Sequence, residues 1–148
     1  MPFSTTWANQ ILGYTLSKTL SLTAPATVYI GLSSNDPEAD NGTFTELSGG
    51  NYARELIVKR GESYPEKIGS AANRKISSVN QIAFNKVTAE SGLLVKGFGL
   101  FESASGGSPF FYGKVTGIPE TGLLIPKDAL PLFDAGQFGL EFLTKDAD

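Results

Sequence analysis

The chain holds no cysteine and no histidine among its 148 residues. Without cysteine there is no disulfide, no thiolate metal site and no thiol nucleophile, and the redox compartment stays open. Without histidine the commonest general base and the commonest metal ligand are missing, and a Ser-His-Asp triad is excluded. Ser-Lys or carboxylate chemistry remains, and no motif points to either. Charge is also scarce, at 18% of residues. A free monomer usually carries more, which suggests that other subunits cover part of the surface. No apolar run reaches the roughly 18 residues of a membrane helix. The N-terminal stretch does not follow the basic, apolar, small-residue order of a signal peptide. With a net charge of −3, the chain has no broad basic field for nucleic acid. These absences lead us to expect no enzyme activity, no cofactor, no metal, no membrane contact and no nucleic-acid partner.

Glycine and aromatic residues share strands instead. Gly97-Phe98-Gly99-Leu100-Phe101, a Gly/Ser turn, then Pro109-Phe110-Phe111-Tyr112-Gly113 reads as a hairpin. Glycines inside strands mark bulges or close backbone approach. Further strands are expected at 27–32, 52–58, 79–84 and 93–101, with a short extended piece at Leu123-Leu124-Ile125. In the last strand Gln137, Gly139 and Glu141 face one way, and Phe138, Leu140 and Phe142 the other. Such alternation belongs to a sheet with one wet and one buried face. Ser4 or Thr5 can cap an N-terminal helix whose Trp7, Ile11 and Tyr14 share a face, with Leu12 and Leu16 widening the stripe. That helix either docks on the domain's own sheet or reaches a neighbouring subunit, with the Met-Pro-Phe lead as part of a short arm. The fold class is therefore mainly β. An antiparallel β-sandwich or partly open barrel with one short N-terminal helix is expected, as a single domain over 1–148 with an arm at 1–20. The acidic tail, Asp146 to Asp148, is expected to fray.

Two long loops remain. The first, 33–51, is rich in turn formers and is expected to be mobile or used for contact. Its Asp36, Glu38 and Asp40 do not follow the spacing of an EF-hand. Ser48-Gly49-Gly50 lacks the Lys-Ser/Thr pair of a phosphate loop. Arg54 is expected on a sheet face, paired with Glu55 or a neighbour. The second loop, 59–78, holds Lys59, Arg60, Lys67, Arg74 and Lys75, diluted by Glu62 and Glu66. It reads as a solvated excursion that covers a sheet edge or pairs with an acidic partner. Tyr29, Phe98, Phe101 and Phe110 to Tyr112 are read as packing, or else as a sugar or receptor platform.

Four segments in order, Thr6-Trp7-Ala8-Asn9, Thr23-Ala24-Pro25 with Val28-Tyr29-Ile30-Gly31-Leu32, Ser48 to Arg54, and Gly99 to Gly107 before Tyr112-Gly113, resemble a family of small tailed-bacteriophage and prophage virion structural proteins. Members are often labelled tail-fibre proteins. The 59–78 stretch departs from the family pattern in length and charge. The resemblance implies a non-enzymatic component of the virion, assembled in the host cytoplasm and held as a homo-oligomer or on a lattice. Because 148 residues contain no long trimeric shaft, the preferred reading is capsid decoration, cementing capsomers of the major capsid protein. The alternative is a tail, baseplate or fibre-type protein touching the host surface through Phe98, Phe101 and Tyr112. Candidate contact residues are Phe3, Trp7, Ile11, Arg54, Arg60, Lys67 and Arg74.

Overall fold

The computed structural model describes residues 3–16 and 23–141. Expectations placed on Met1 and Pro2, on the end of the arm at 17–20, on Phe142 and on the acidic tail lie outside the described residues. Among the described residues one helix, α1 (Thr5–Leu16), precedes ten strands: β1 (Thr27–Ser33), β2 (Glu55–Lys59), β3 (Lys75–Ser77), β4 (Ile82–Ala83), β5 (Leu93–Val95), β6 (Gly97–Phe101), β7 (Phe111–Lys114), β8 (Leu123–Ile125), β9 (Leu132–Phe133) and β10 (Gly139–Glu141). The mainly β expectation holds, and no barrel closes among the described residues. A four-stranded antiparallel sheet in the order β2-β1-β6-β7 is accompanied by three ribbons, β10-β3, β4-β9 and β5-β8.

Alternation builds the core. Val28, Ile30 and Leu32 of β1 and Phe98 and Leu100 of β6 point to one face, where they meet Ile57, Ile82, Phe84, Val95 and Phe138. Edge-to-face rings tie the layers together, Phe98 to Phe138 at 5.4 Å and Phe133 to Phe138 at 5.9 Å. A bulge between Val28 and Tyr29 in the β1–β2 register leaves Ile57 unpaired and turned inward.

Several boundaries differ from the alternation pattern. The expected strand 93–101 is two strands. At Lys96 the chain leaves the β8 ribbon and enters the main sheet, bridging both neighbours through Ser33 O (2.9 Å) and the Val115 N–H (2.9 Å). β2 starts at Glu55 rather than 52, because the Tyr52 N–H closes a turn onto Gly49 O at 2.9 Å around left-handed Asn51. The 79–84 strand contracts to Ile82 and Ala83. β10 starts at Gly139, since Gln137 is taken into a turn by its bond to Asp134 O. The 59–78 excursion folds back on itself, with Gly69 N–H to Ser77 O and Val79 N–H to Lys67 O, and supplies β3.

Candidate interaction surface

Ser4 opens α1. Its hydroxyl accepts from the Trp7 N–H at 3.4 Å and its carbonyl from Ala8, satisfying first-turn donors that a helix leaves unpaired. The arm grips β7 at its outer edge. Phe3 bridges Phe111 and meets its ring edge-to-face at 5.1 Å. The Ser4 N–H donates to Phe110 O, and Trp7 stacks on Phe110 at 4.9 Å. There the docking stops, because α1 buries none of its residues fully. At 100° per residue Leu12 and Leu16 sit 140–180° away from Trp7, so they do not widen the Trp7 stripe. They form a second line on the opposite side, 56% and 83% exposed. Ile11 is half-buried, and Tyr14 is exposed although it shares the Trp7 side.

The 33–51 loop packs on the second face of the main sheet. Glycines make that face flat: Gly31 lies opposite Gly99, and Gly97 follows. A Cβ on Gly99 would stand 2.9 Å from the Phe44 ring, and one on Gly97 would stand 2.5 Å from Pro37. Phe44 meets the Phe101 ring at 5.4 Å. The loop's carboxylates serve the loop itself. Asp36 accepts from the Glu38 N–H at 2.9 Å, and Asp40 accepts from the Asn35 amide at 2.6 Å. Among the described residues no cluster of three potential ligands is arranged to hold a metal.

Arg54 locks this layer. Its guanidinium grips Glu46 in a two-pronged pair at 2.7 and 2.6 Å. It donates to Ser103 O and Gly106 O at 2.9 Å each and lies 3.3 Å over the Phe101 ring centroid. The side chain is 2% exposed. Arg54 is thus a tie between the loop and the β6–β7 turn, and its partner is Glu46 rather than Glu55. Two long polar segments need a fixed charge to hold them, and the fork geometry of arginine supplies it. Beside the pair, the Tyr52 hydroxyl donates to Glu46 at 3.1 Å and accepts the Leu32 N–H at 2.8 Å. Burial pushes the Tyr52 phenol well above its usual range. Glu46 adds to the rise and the Leu32 bond opposes it.

Most of the basic stretch is committed within the chain. Lys59 pairs with Glu62 at 2.5 Å, Lys67 pairs with Glu55, and Arg60 donates to Pro25 O. Arg74 is exposed in a tight turn closed by Ala72 and Lys75, with φ of 65°. The six aromatics do not form one surface: Phe98, Phe101 and Phe111 are buried at 7%, 2% and 4% exposure, while Tyr29, Phe110 and Tyr112 are half-buried. Seven candidate residues therefore do not converge. Phe3 and Trp7 share the β7 edge, Ile11 continues along α1, and the four cations lie elsewhere.

Sequence reasoning missed two clefts. An apolar one of about 540 Å³ lies between the sheet and the ribbons, with Leu123 and Leu132 at its lip, 42% and 40% exposed. The signal was present in Leu123-Leu124-Ile125 and Leu130-Pro131-Leu132, which put leucines in a proline-punctuated connection. A polar cleft of about 460 Å³ opens between Ser4, Asn41 to Phe44 and Ser108, with Tyr112 at its side.

A family model described as "Podophage GP4 fiber I protein gp80" matches residues 2–140. No curated protein matches the chain. The chain belongs to that family, a family of phage virion structural proteins of the tail-fibre kind.

Proposed function

We propose that this member of the podophage fibre family is a non-catalytic building block of the fibre, joined to neighbouring virion subunits through α1. One observation carries the reading. No fully buried side-chain nitrogen or oxygen is left unpaired among the described residues, and α1 leaves Leu12, Tyr14 and Leu16 in solvent, Leu16 at 83% being the most exposed large apolar side chain among the described residues. An uncharged helix held by one end, with leucines left in solvent, is what a docking element looks like before its partner arrives. The family description concerns a fibre, which favours the tail side over a cement position between capsomers. The subunit would join the particle during assembly in the host cytoplasm.

Immunogold labelling of intact particles tests the placement. Label on the tail-side appendages is expected; label scattered over the head would replace the fibre reading with capsid decoration. A second reading, contact with the host surface, is favoured by the polar cleft beside Tyr112. Its test is thermal stabilisation by host surface saccharides, abolished by Tyr112→Ala.

A further inference from the structure

We infer that Asn41-Gly42 in the 33–51 loop is a latent site of spontaneous deamidation, kept unreactive by the turn that binds the Gly42 N–H and released when that turn opens. Asn41 is the one asparagine of the chain that precedes a glycine. In the reaction the Gly42 nitrogen gives its proton to solvent base and attacks Cγ of the Asn41 side chain. A C–N bond forms, the bond to the side-chain amide nitrogen breaks, and ammonia leaves. Water then opens the cyclic imide at either carbonyl, giving aspartate or isoaspartate. No electron is transferred and no cofactor is required. Glycine favours the attack because no Cβ shields the nitrogen. Asn41 is exposed, so water and base reach it, and burial does not protect the site.

Conformation protects it instead. The Asp40 N–H donates to Asp36 O at 3.1 Å, and the Gly42 N–H donates to Pro37 O at 2.8 Å. The second bond leaves Asn41 and Gly42 in the left-handed region, with φ of 54° and 83°, as at the end of a helix closed by a Schellman motif. The attacking nitrogen is thus a bound donor. Its acceptor belongs to Pro37, whose side chain is fully buried. A Cβ on Gly42 would stand 2.7 Å from the Tyr112 hydroxyl, so Tyr112 lies close over residue 42 and restricts its movement. The Asn35 side chain clamps the turn. It donates to Asp40 at 2.6 Å and to Thr43 O at 2.8 Å, and accepts the Thr45 N–H at 2.9 Å. The carboxylates of Asp36, Glu38 and Asp40 oppose formation of a nitrogen anion among them. Ring closure therefore waits for the bond between Gly42 and Pro37 to break, and its rate is that of the open chain multiplied by the open fraction. Isoaspartate adds a carbon to the main chain between residues 41 and 42. The turn then no longer closes on Pro37, and an opening that reacts unseats the loop permanently.

The test holds the full chain in mildly alkaline buffer and follows residue 41 over days by peptide mass mapping and by isoaspartyl methyltransferase labelling. The native protein is expected to convert more slowly than the same chain unfolded in guanidinium, by about tenfold or greater. Hydrogen exchange of the Gly42 amide is measured alongside. Across sub-denaturing guanidinium concentrations, conversion is expected to rise in step with that exchange. Asn35→Ala cuts three bonds of the loop and leaves Asn41-Gly42 in place; it is expected to speed conversion and Gly42 exchange by the same factor. If that variant does not fold, Tyr112→Ala is read in the same way. Native conversion as fast as in guanidinium would overturn the inference. So would conversion that stays flat while Gly42 exchange accelerates, whether in a variant or in sub-denaturing guanidinium. The outcome is independent of where the subunit sits on the particle, so the fibre reading stands or falls separately.

Discussion

Removing Arg54 is the sharpest perturbation of this architecture. The Arg54→Met variant keeps the stem but deletes the two-pronged grip on Glu46 and the bonds to Ser103 O and Gly106 O. Breaking one side of a buried ion pair costs about 3–5 kcal/mol. Glu46 is 28% exposed, so water recovers part of its solvation, and the lower end, about 3 kcal/mol, is the expected loss. For a chain of this size each kcal/mol moves Tm by roughly 2–4 °C, so melting should fall by about 6–12 °C. Arg54→Lys retains charge without the fork and should lose about half as much. Adding Glu46→Gln to Arg54→Met should recover part of the loss, since no carboxylate is then left without its partner. Calorimetry gives the magnitudes, and amide exchange shows whether residues 102–108 loosen selectively. A drop in Tm of under about 2 °C, or unchanged exchange in that turn, would refute the claim that Arg54 ties the two segments together.

Gly97→Ala should destabilise by about 3 kcal/mol, the upper end for overpacking, because its Cβ meets Pro37, Ser33 and the Asn35 carbonyl within 3 Å; urea unfolding checks it. Tyr52→Phe takes the acceptor from the buried Leu32 N–H and should cost about 1–3 kcal/mol in the same assay. In the native protein the Tyr52 phenol is held above its unfolded value of about 10. Its contribution to stability is therefore complete below pH ~10 and lost as pH rises beyond it. Ultraviolet titration should show one of the five tyrosines ionising only on unfolding. Trp7→Ala, which removes the stack on Phe110, should cost only about 1–2 kcal/mol, since the body does not depend on α1; a global collapse in thermal melting would contradict this.

The mainly β class, the single N-terminal helix and its Ser4 cap were legible because they depend on local chemistry: period-two alternation, β-branched runs and a hydroxyl before the first turn. Strand ends were less so. Lys96 looks like the middle of a strand, and only contacts with Ser33 and Val115, distant in sequence, show that the chain changes sheets there. Loop 33–51 read as polar and either mobile or used for contact, because its footing, the Gly31, Gly97 and Gly99 face, lies in other segments. Arg54 read as a surface cation for the same reason. Its partners, Glu46, Ser103 and Gly106, are 8, 49 and 52 residues away. The docking helix was legible in part. Trp7 was read as a contact residue, on the domain's own sheet or on a neighbour, and it stacks on Phe110 of its own chain, while Leu12 and Leu16 were put on the wrong side by counting apolar residues without following the angle between them.

The role of α1 in holding the subunit on the particle is tested most directly by producing virions with the chain lacking residues 1–16. Quantitative immunoblotting of purified particles should find the truncated protein folded and abundant in the lysate yet missing from the virion. Incorporation at the wild-type copy number would contradict the account.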